Sequence, residues 1–176
     1  MRKIKLYIAI SLNGKIAKSD GSVEWLENMP NPEKISYGFD ELYQSIDTTL
    51  QGYKTYELIL NRGIEIPSTD KRNLVLTGKQ DIENTQYIEF IKKDHVDFIR
   101  QLKKEKGKDI WLIGGGKTNT LLFNENLIDE MQVFVMPIII PGGIDLFEQI
   151  PKEKMLHLID TKTYSTGAVE LKYAID

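Results

Sequence analysis

No cysteine occurs in the 176 residues, and histidine is nearly as scarce, at His95 and His157. The first absence removes disulfides, thiol catalysis and cysteine-ligated zinc; the second leaves almost nothing for a histidine-based metal site. No apolar run approaches the length needed to span a bilayer. The apolar start, Ile4 to Ile10, is broken early by Asn13, Gly14 and Lys15, so it does not read as a secretory signal. A cytoplasmic protein is expected. Nor is there an excess of positive charge: the net charge is −3, and no basic stripe is interleaved with aromatics, which argues against nucleic acid as a partner. With 41% hydrophobic and 28% charged residues, the chain has the composition of one ordinary globular domain, 1–176.

What is present is an alternation of short β-rich runs and helical patterns. Strands are expected at Lys5–Ser11, Thr48–Gln51, Asn73–Thr77, Tyr87–Ile91 and Ile110–Ile113, with a longer one from Met131 to Ile140. Helices are expected over Glu33–Ile46, where Ile35, Phe39, Leu42, Tyr43 and Ile46 share a face, over Asp94–Lys106 with Asp94 as N-cap, and over Lys117–Phe123. Strands separated by helices imply a mainly parallel sheet covered on both faces. At the end, Val169, Leu171, Tyr173 and Ile175 alternate with Glu170, Lys172 and Ala174 after a Thr166-Gly167 turn. That predicts an antiparallel hairpin with Leu156–Ser165. The fold class is therefore α/β with a mixed, mainly parallel sheet flanked by helices.

Three expected strands end alike: Leu50 runs into Gln-Gly-Tyr-Lys-Thr, Leu76 into Thr-Gly-Lys, and Ile113 into Gly-Gly-Gly-Lys-Thr. Ligands of open α/β sheets bind outside the carboxyl ends of the strands. Glycine there admits close backbone approach, a helix start offers free N–H groups, and lysine adds a mobile charge. The three ends together point to a ligand carrying several phosphates. A Walker A loop is excluded because Trp111 stands where its first glycine belongs. The fingerprint G-x-G-x-x-G fails at Asn119 and lies too late in the chain for a Rossmann domain.

Ile8-Ala9-Ile10-Ser11-Leu12-Asn13-Gly14-Lys15-Ile16-Ala17 resembles the opening strand and loop of dihydrofolate-reductase-like proteins. Gly52-Tyr53-Lys54-Thr55-Tyr56-Glu57, the glycines after Trp111, Leu127-Ile128-Asp129-Glu130 and Pro141-Gly142-Gly143-Ile144-Asp145-Leu146-Phe147 are similar, in order, to segments of the reductase half of the riboflavin-biosynthesis deaminase-reductase. The resemblance implies an NADPH-dependent reductase of a pterin-like or pyrimidine-like heterocycle, and a homodimer. It implies that Ala9, Ile16 and Ala17 border the nicotinamide. Gly52, Tyr53, Lys54 and Thr55 would lie along the phosphates, and Thr77, Gly78 and Lys79 near the adenosine. Ile113, Gly114, Gly115, Gly116, Lys117 and Thr118 would wrap the diphosphate. Tyr53 stands where that family often carries arginine. A nucleotide-binding sensor without turnover would use the same cleft.

For chemistry, Asp40 at the flank of the first helix is the candidate to relay a proton, while Trp25, Tyr37 and Phe39 could stack on a flat substrate. His95 is expected exposed on its helix. Asp129 and Glu130, adjacent at a strand start, point to opposite faces and read as structural.

Overall fold

In the computed structural model, which describes residues 1–63 and 68–175, the chain forms β1 (Ile4–Ser11), β2 (Lys15–Ala17), α1 (Glu24–Glu27), α2 (Phe39–Ser45), β3 (Ile46–Gly52), α3 (Tyr53–Asn61), β4 (Arg72–Leu76), β5 (Ile88–Ile91), α4 (His95–Leu102), β6 (Asp109–Gly114), α5 (Gly116–Asn124), β7 (Glu130–Met136), β8 (Ile144–Asp145), β9 (His157–Thr163) and β10 (Val169–Ala174). Eight strands make one sheet in the order β5-β4-β3-β6-β1-β7-β10-β9. From β5 to β7 every pairing is parallel; β10 then runs antiparallel to β7, and β9 to β10. This is the mixed sheet with a C-terminal antiparallel pair that the alternation predicts.

Period-two alternation decides which side chains meet. On β1, Ile4 and Leu6 join Leu50, Leu74, Ile110 and Leu112 in the main core, which α4 covers with Ile99 and Leu102 and α5 with Leu122 and Phe123. Tyr7 and Ala9 point the other way, into a second cluster around Trp25, Phe134 and Met136. A third holds Val75, Ile88 and Phe90 beneath Tyr53 and Tyr56 of α3.

Four expectations need correction. The helix expected over Glu33–Ile46 forms only at Phe39–Ser45, because Lys34, Tyr37 and Gly38 take positive φ (51°, 55° and 79°), which no right-handed helix accommodates. Asp94 precedes α4 but makes no side-chain cap, its own φ being 51°, and the helix stops at Leu102. β7 ends at Met136, since Pro137 cannot donate to a neighbouring strand. His95 is not free on its helix: Nε2 lies 2.9 Å from the Ile91 carbonyl and 3.1 Å from that of Thr77, so it donates to the loop ends of β4 and β5. Helix α3 and the small β2–β8 pair went unforeseen. Asp129 is structural as expected: its carboxylate accepts from the Ile4 amide at 2.7 Å and from Lys103 Nζ at 2.6 Å.

Candidate functional site

Strands β3 and β6 are neighbours whose carboxyl ends lie level, with Gln51 beside Gly114. Helices α3 and α5 begin immediately beyond them, and neither carries a side-chain cap. The first-turn N–H groups of two nine-residue helices are thus left for whatever occupies the space between them. The two starts interlock. A Cβ on Gly52 would fall on the Thr118 hydroxyl, and one on Gly115 would lie 2.7 Å from Thr55 Oγ1. Lys54 and Lys117, both exposed, stand on the two first turns.

The triple glycine now has a reason at each position. Gly114 and Gly115 take φ of 116° and 101°, a region that side chains rarely adopt. At Gly116, φ is not the constraint; a Cβ there would lie 2.5 Å from the Asp145 carbonyl oxygen. Protein, as well as any ligand, therefore crowds this turn.

The crowding comes from the segment after Gly142. Leu146 donates its amide to Gly14 O at 3.1 Å, Glu148 donates to Gly116 O at 3.3 Å, and Asn119 Nδ2 donates to Leu146 O at 2.9 Å. Lys15 Nζ bonds Asp145 at 2.5 Å alongside the β2–β8 pairing. The late Pro-Gly-Gly motif is thus a brace that joins the first loop to the start of α5.

Beneath these elements opens a cleft of about 950 Å³. At one end lie Gly52, Tyr53, Lys54 and Thr55, then Thr77 and Gly78, then Ile113, Gly115, Gly116, Lys117 and Thr118; Ala9, Ile16 and Ala17 also line it. Gly114 is buried just behind that wall. Lys79 is exposed and outside it, its ammonium 4.1 Å from the centre of the Tyr53 ring and 3.9 Å from Glu57. Contact with Tyr53 raises the Lys79 pKa, so the charge persists.

The cleft continues between the sheet and the 17–31 loop, where Tyr7, Tyr37, Trp111, Phe134 and Met136 form the floor and Leu26 and Met29 the cover. Ala9 sits beside Phe134 in register, and its small side chain leaves that floor open. Tyr7 is tilted at 59° against Phe134 at 4.8 Å, and Tyr37 packs edge to face on it at 5.8 Å. Burial, with Glu170 next, pushes the Tyr7 phenol far up, so it remains protonated.

Three expected site residues lie elsewhere. Trp25 packs into the second cluster and does not line the cleft. Phe39 stands behind the floor, 5.4 Å from Trp111 and 6.1 Å from Tyr7. Asp40 is exposed on the outer side of α2 and does not line the cleft; the loss of the helix's first half removes the geometry that would have turned it inward. Tyr7, Met29, Trp111, Phe134 and Met136 line the cleft although none was expected there; for Tyr7, Phe134 and Met136, same-face alternation on β1 and β7 is the signal that marks them. Among the described residues, no group of three or more His, Asp or Glu side chains could hold a metal ion, and no helix is long and apolar enough to cross a membrane.

Residues 47–170 match the RibD C-terminal domain. The chain belongs to that family. It is 37% identical to the uncharacterized protein YwjB of Bacillus subtilis (strain 168), over 98% of this chain and 97% of that one. Its structure superposes on a putative riboflavin biosynthesis protein from Shewanella sp. PV-4 with a TM-score of 0.88 at 26% identity, covering 99% of both chains. Dihydrofolate reductase from Enterococcus faecalis, complexed with NADP(H), shares the fold at a TM-score of 0.70 and 15% identity, covering 99% of this chain and 96% of that one. The fold is dihydrofolate-reductase-like.

Proposed function

We propose that the protein is an NADPH-dependent reductase of a small heterocyclic compound, pterin-like or pyrimidine-like. The observation that carries this reading is the meeting of the uncapped α3 and α5 starts, Gly52 against Thr118 and Gly115 against Thr55, at the mouth of an apolar cleft. Oriented backbone N–H groups and two helix dipoles suit a diphosphate. Lys54 and Lys117 add charge without being committed to an ion pair among the described residues. The residues present therefore fit the group. Thr77 and Gly78 line the cleft where the adenosine would extend, and Ala9, Ile16 and Ala17 offer an apolar wall for the nicotinamide.

When bound, NADPH would supply the hydride. The protein's part is to position the two rings and exclude water from between them. Asp40, outside the cleft, has no part in this reading. The test is to mix the protein with NADPH and candidate heterocycles and follow the loss of NADPH absorbance. Turnover supports the reading. Binding of NADPH without turnover of any candidate supports a nucleotide-binding sensor, and no binding removes the reading altogether.

A further inference from the structure

The apolar end of the cleft differs in charge and hydrogen-bonding capacity from the end beside the helix starts. Most of its polar side chains are already engaged by the protein, and the Ser19 hydroxyl is a small addition to the lining. The Tyr7 hydroxyl donates to the Tyr37 carbonyl at 3.2 Å, and the Tyr37 hydroxyl to Thr166 Oγ1 at 2.9 Å. Asn31 uses both ends of its amide on Ile35, donating to its carbonyl at 3.0 Å and accepting from its amide at 2.9 Å. The Asp20 carboxylate accepts from the Ser22 amide at 2.8 Å. What these residues leave to a ligand is chiefly ring faces and hydrocarbon.

Charge points the same way. Among the described lining residues the cations are Lys54, Arg62 and Lys117, and the carboxylates are Asp20, Glu27, Glu57 and Glu148. Lys54 and Lys117 belong to the helix starts. Arg62 is held 3.5 Å from Glu27, an ion pair that joins the end of α3 to α1. Beyond the helix starts the described lining offers an anion only Arg62, already facing Glu27, and the exposed carboxylates of Asp20 and Glu27 outnumber it on that side. Burying an unpaired phosphate or carboxylate there is strongly unfavourable.

We propose that the substrate of this site is a flat, uncharged ring system bearing no phosphate and no carboxylate, bound between the aromatic floor of Tyr7, Tyr37, Trp111 and Phe134 and the Leu26–Met29 cover. The proposal rests on the reductase reading for the role of the other end of the cleft, but its binding prediction can be measured without NADPH. It sets the substrate apart from phosphorylated sugars and acid-tailed heterocycles, whose anionic groups this end cannot match.

The matched probes are 1-naphthol and 1-naphthyl phosphate, titrated calorimetrically into the full chain in sulfate buffer, where sulfate competes for the helix starts. 1-Naphthol is expected to bind at least ~10-fold more tightly than its phosphate ester. Met29→Lys, which places a cation at the half-buried cover, is expected to weaken 1-naphthol and shrink that ratio several-fold, roughly to parity. Equal or tighter binding of the ester by the parent protein, or no binding of 1-naphthol, overturns the assignment whether or not the Met29→Lys protein folds. NADPH titrated into the same samples separates the two readings. Naphthol preference without NADPH binding sustains this assignment and defeats the reductase; NADPH binding with ester preference does the reverse.

Discussion

Thr55 and Gly115 lock the starts of α3 and α5 together. The Thr55 hydroxyl donates to the Gly114 carbonyl at 3.4 Å, and a Cβ on Gly115 would lie 2.7 Å from that same hydroxyl oxygen. Gly115→Ala should therefore cost about 1–3 kcal/mol of stability through its φ of 101° and the contact with Thr55 together. Adding Thr55→Ala should return part of the loss, so the two changes will not be additive. Urea denaturation of the parent, both single variants and the double variant gives the coupling; strict additivity would show that the contact carries no energy.

Cofactor choice should turn on Lys79 and Glu57. The 2′-phosphate of NADPH brings roughly two negative charges to the adenosine end. Lys79 stands beside Tyr53 at that end, yet Glu57 lies 3.9 Å from its ammonium and offsets part of the attraction. NADPH is expected to bind at least ~10-fold more tightly than NADH at low salt, and Lys79→Glu to remove most of that preference. Glu57→Gln should strengthen NADPH binding and leave NADH nearly unchanged. Paired titrations of the two cofactors read the ratio directly, and an unchanged ratio in both variants would take Lys79 out of the site.

Trp25 presents a different case. Its indole N–H is buried, with no hydrogen-bond partner among the described residues, in the cluster with Phe134 and Met136. Trp25→Phe loses apolar contact but also removes an unsatisfied donor, so stability should stay within about 1 kcal/mol of the parent. Phe134→Ala, which only removes contact, should cost about 3–5 kcal/mol. Thermal unfolding followed by circular dichroism distinguishes them; a comparable loss in both would mean that the indole is better satisfied than its surroundings indicate.

Stability in acid should depend on Asp109. Burial pushes its carboxyl up, but the ammonium of Lys5 at 2.8 Å and the Lys3 amide at 2.9 Å outweigh this and hold the pKa below its ordinary value. A carboxylate with a depressed folded pKa contributes stability above its unfolded pKa, near 3.9, and loses it as pH falls through the folded value. Asp109→Asn should cost about 1 kcal/mol at neutral pH, and the gap to the parent should close below about pH 4. Denaturant melts across that range check this; a gap between Asp109→Asn and the parent that does not change with pH would show that the ion pair is idle.

The sheet and the helix-start site were legible because their signals are local. Alternation along β1 and β10 and the glycines closing β3 and β6 each sit within a few residues of sequence. What was not legible depended on backbone handedness and on tertiary neighbours. The helical pattern from Ile35 to Ile46 was sound as a pattern, but positive φ at Lys34, Tyr37 and Gly38 broke its first half and left Asp40 outside. Similarly, the aromatic floor is assembled from β1, β6, β7 and the loop before α2 only once β1 lies between β6 and β7. The glycine run was assigned to cofactor contact alone. Thr55 and Asp145, distant in sequence, supply crowding that the sequence could not show.

The central claim is that the two helix starts hold the phosphates of NADPH, and a thermal-shift titration of the parent protein with NADPH tests it most directly. A ligand that binds only the folded state stabilises by about 2.7 kcal/mol at a hundredfold excess over its dissociation constant. The melting temperature should therefore climb steadily with NADPH concentration, less steeply with NADH, and less again for NADPH when Lys54 and Lys117 are both changed to Glu. A melting temperature that neither cofactor moves would contradict the account.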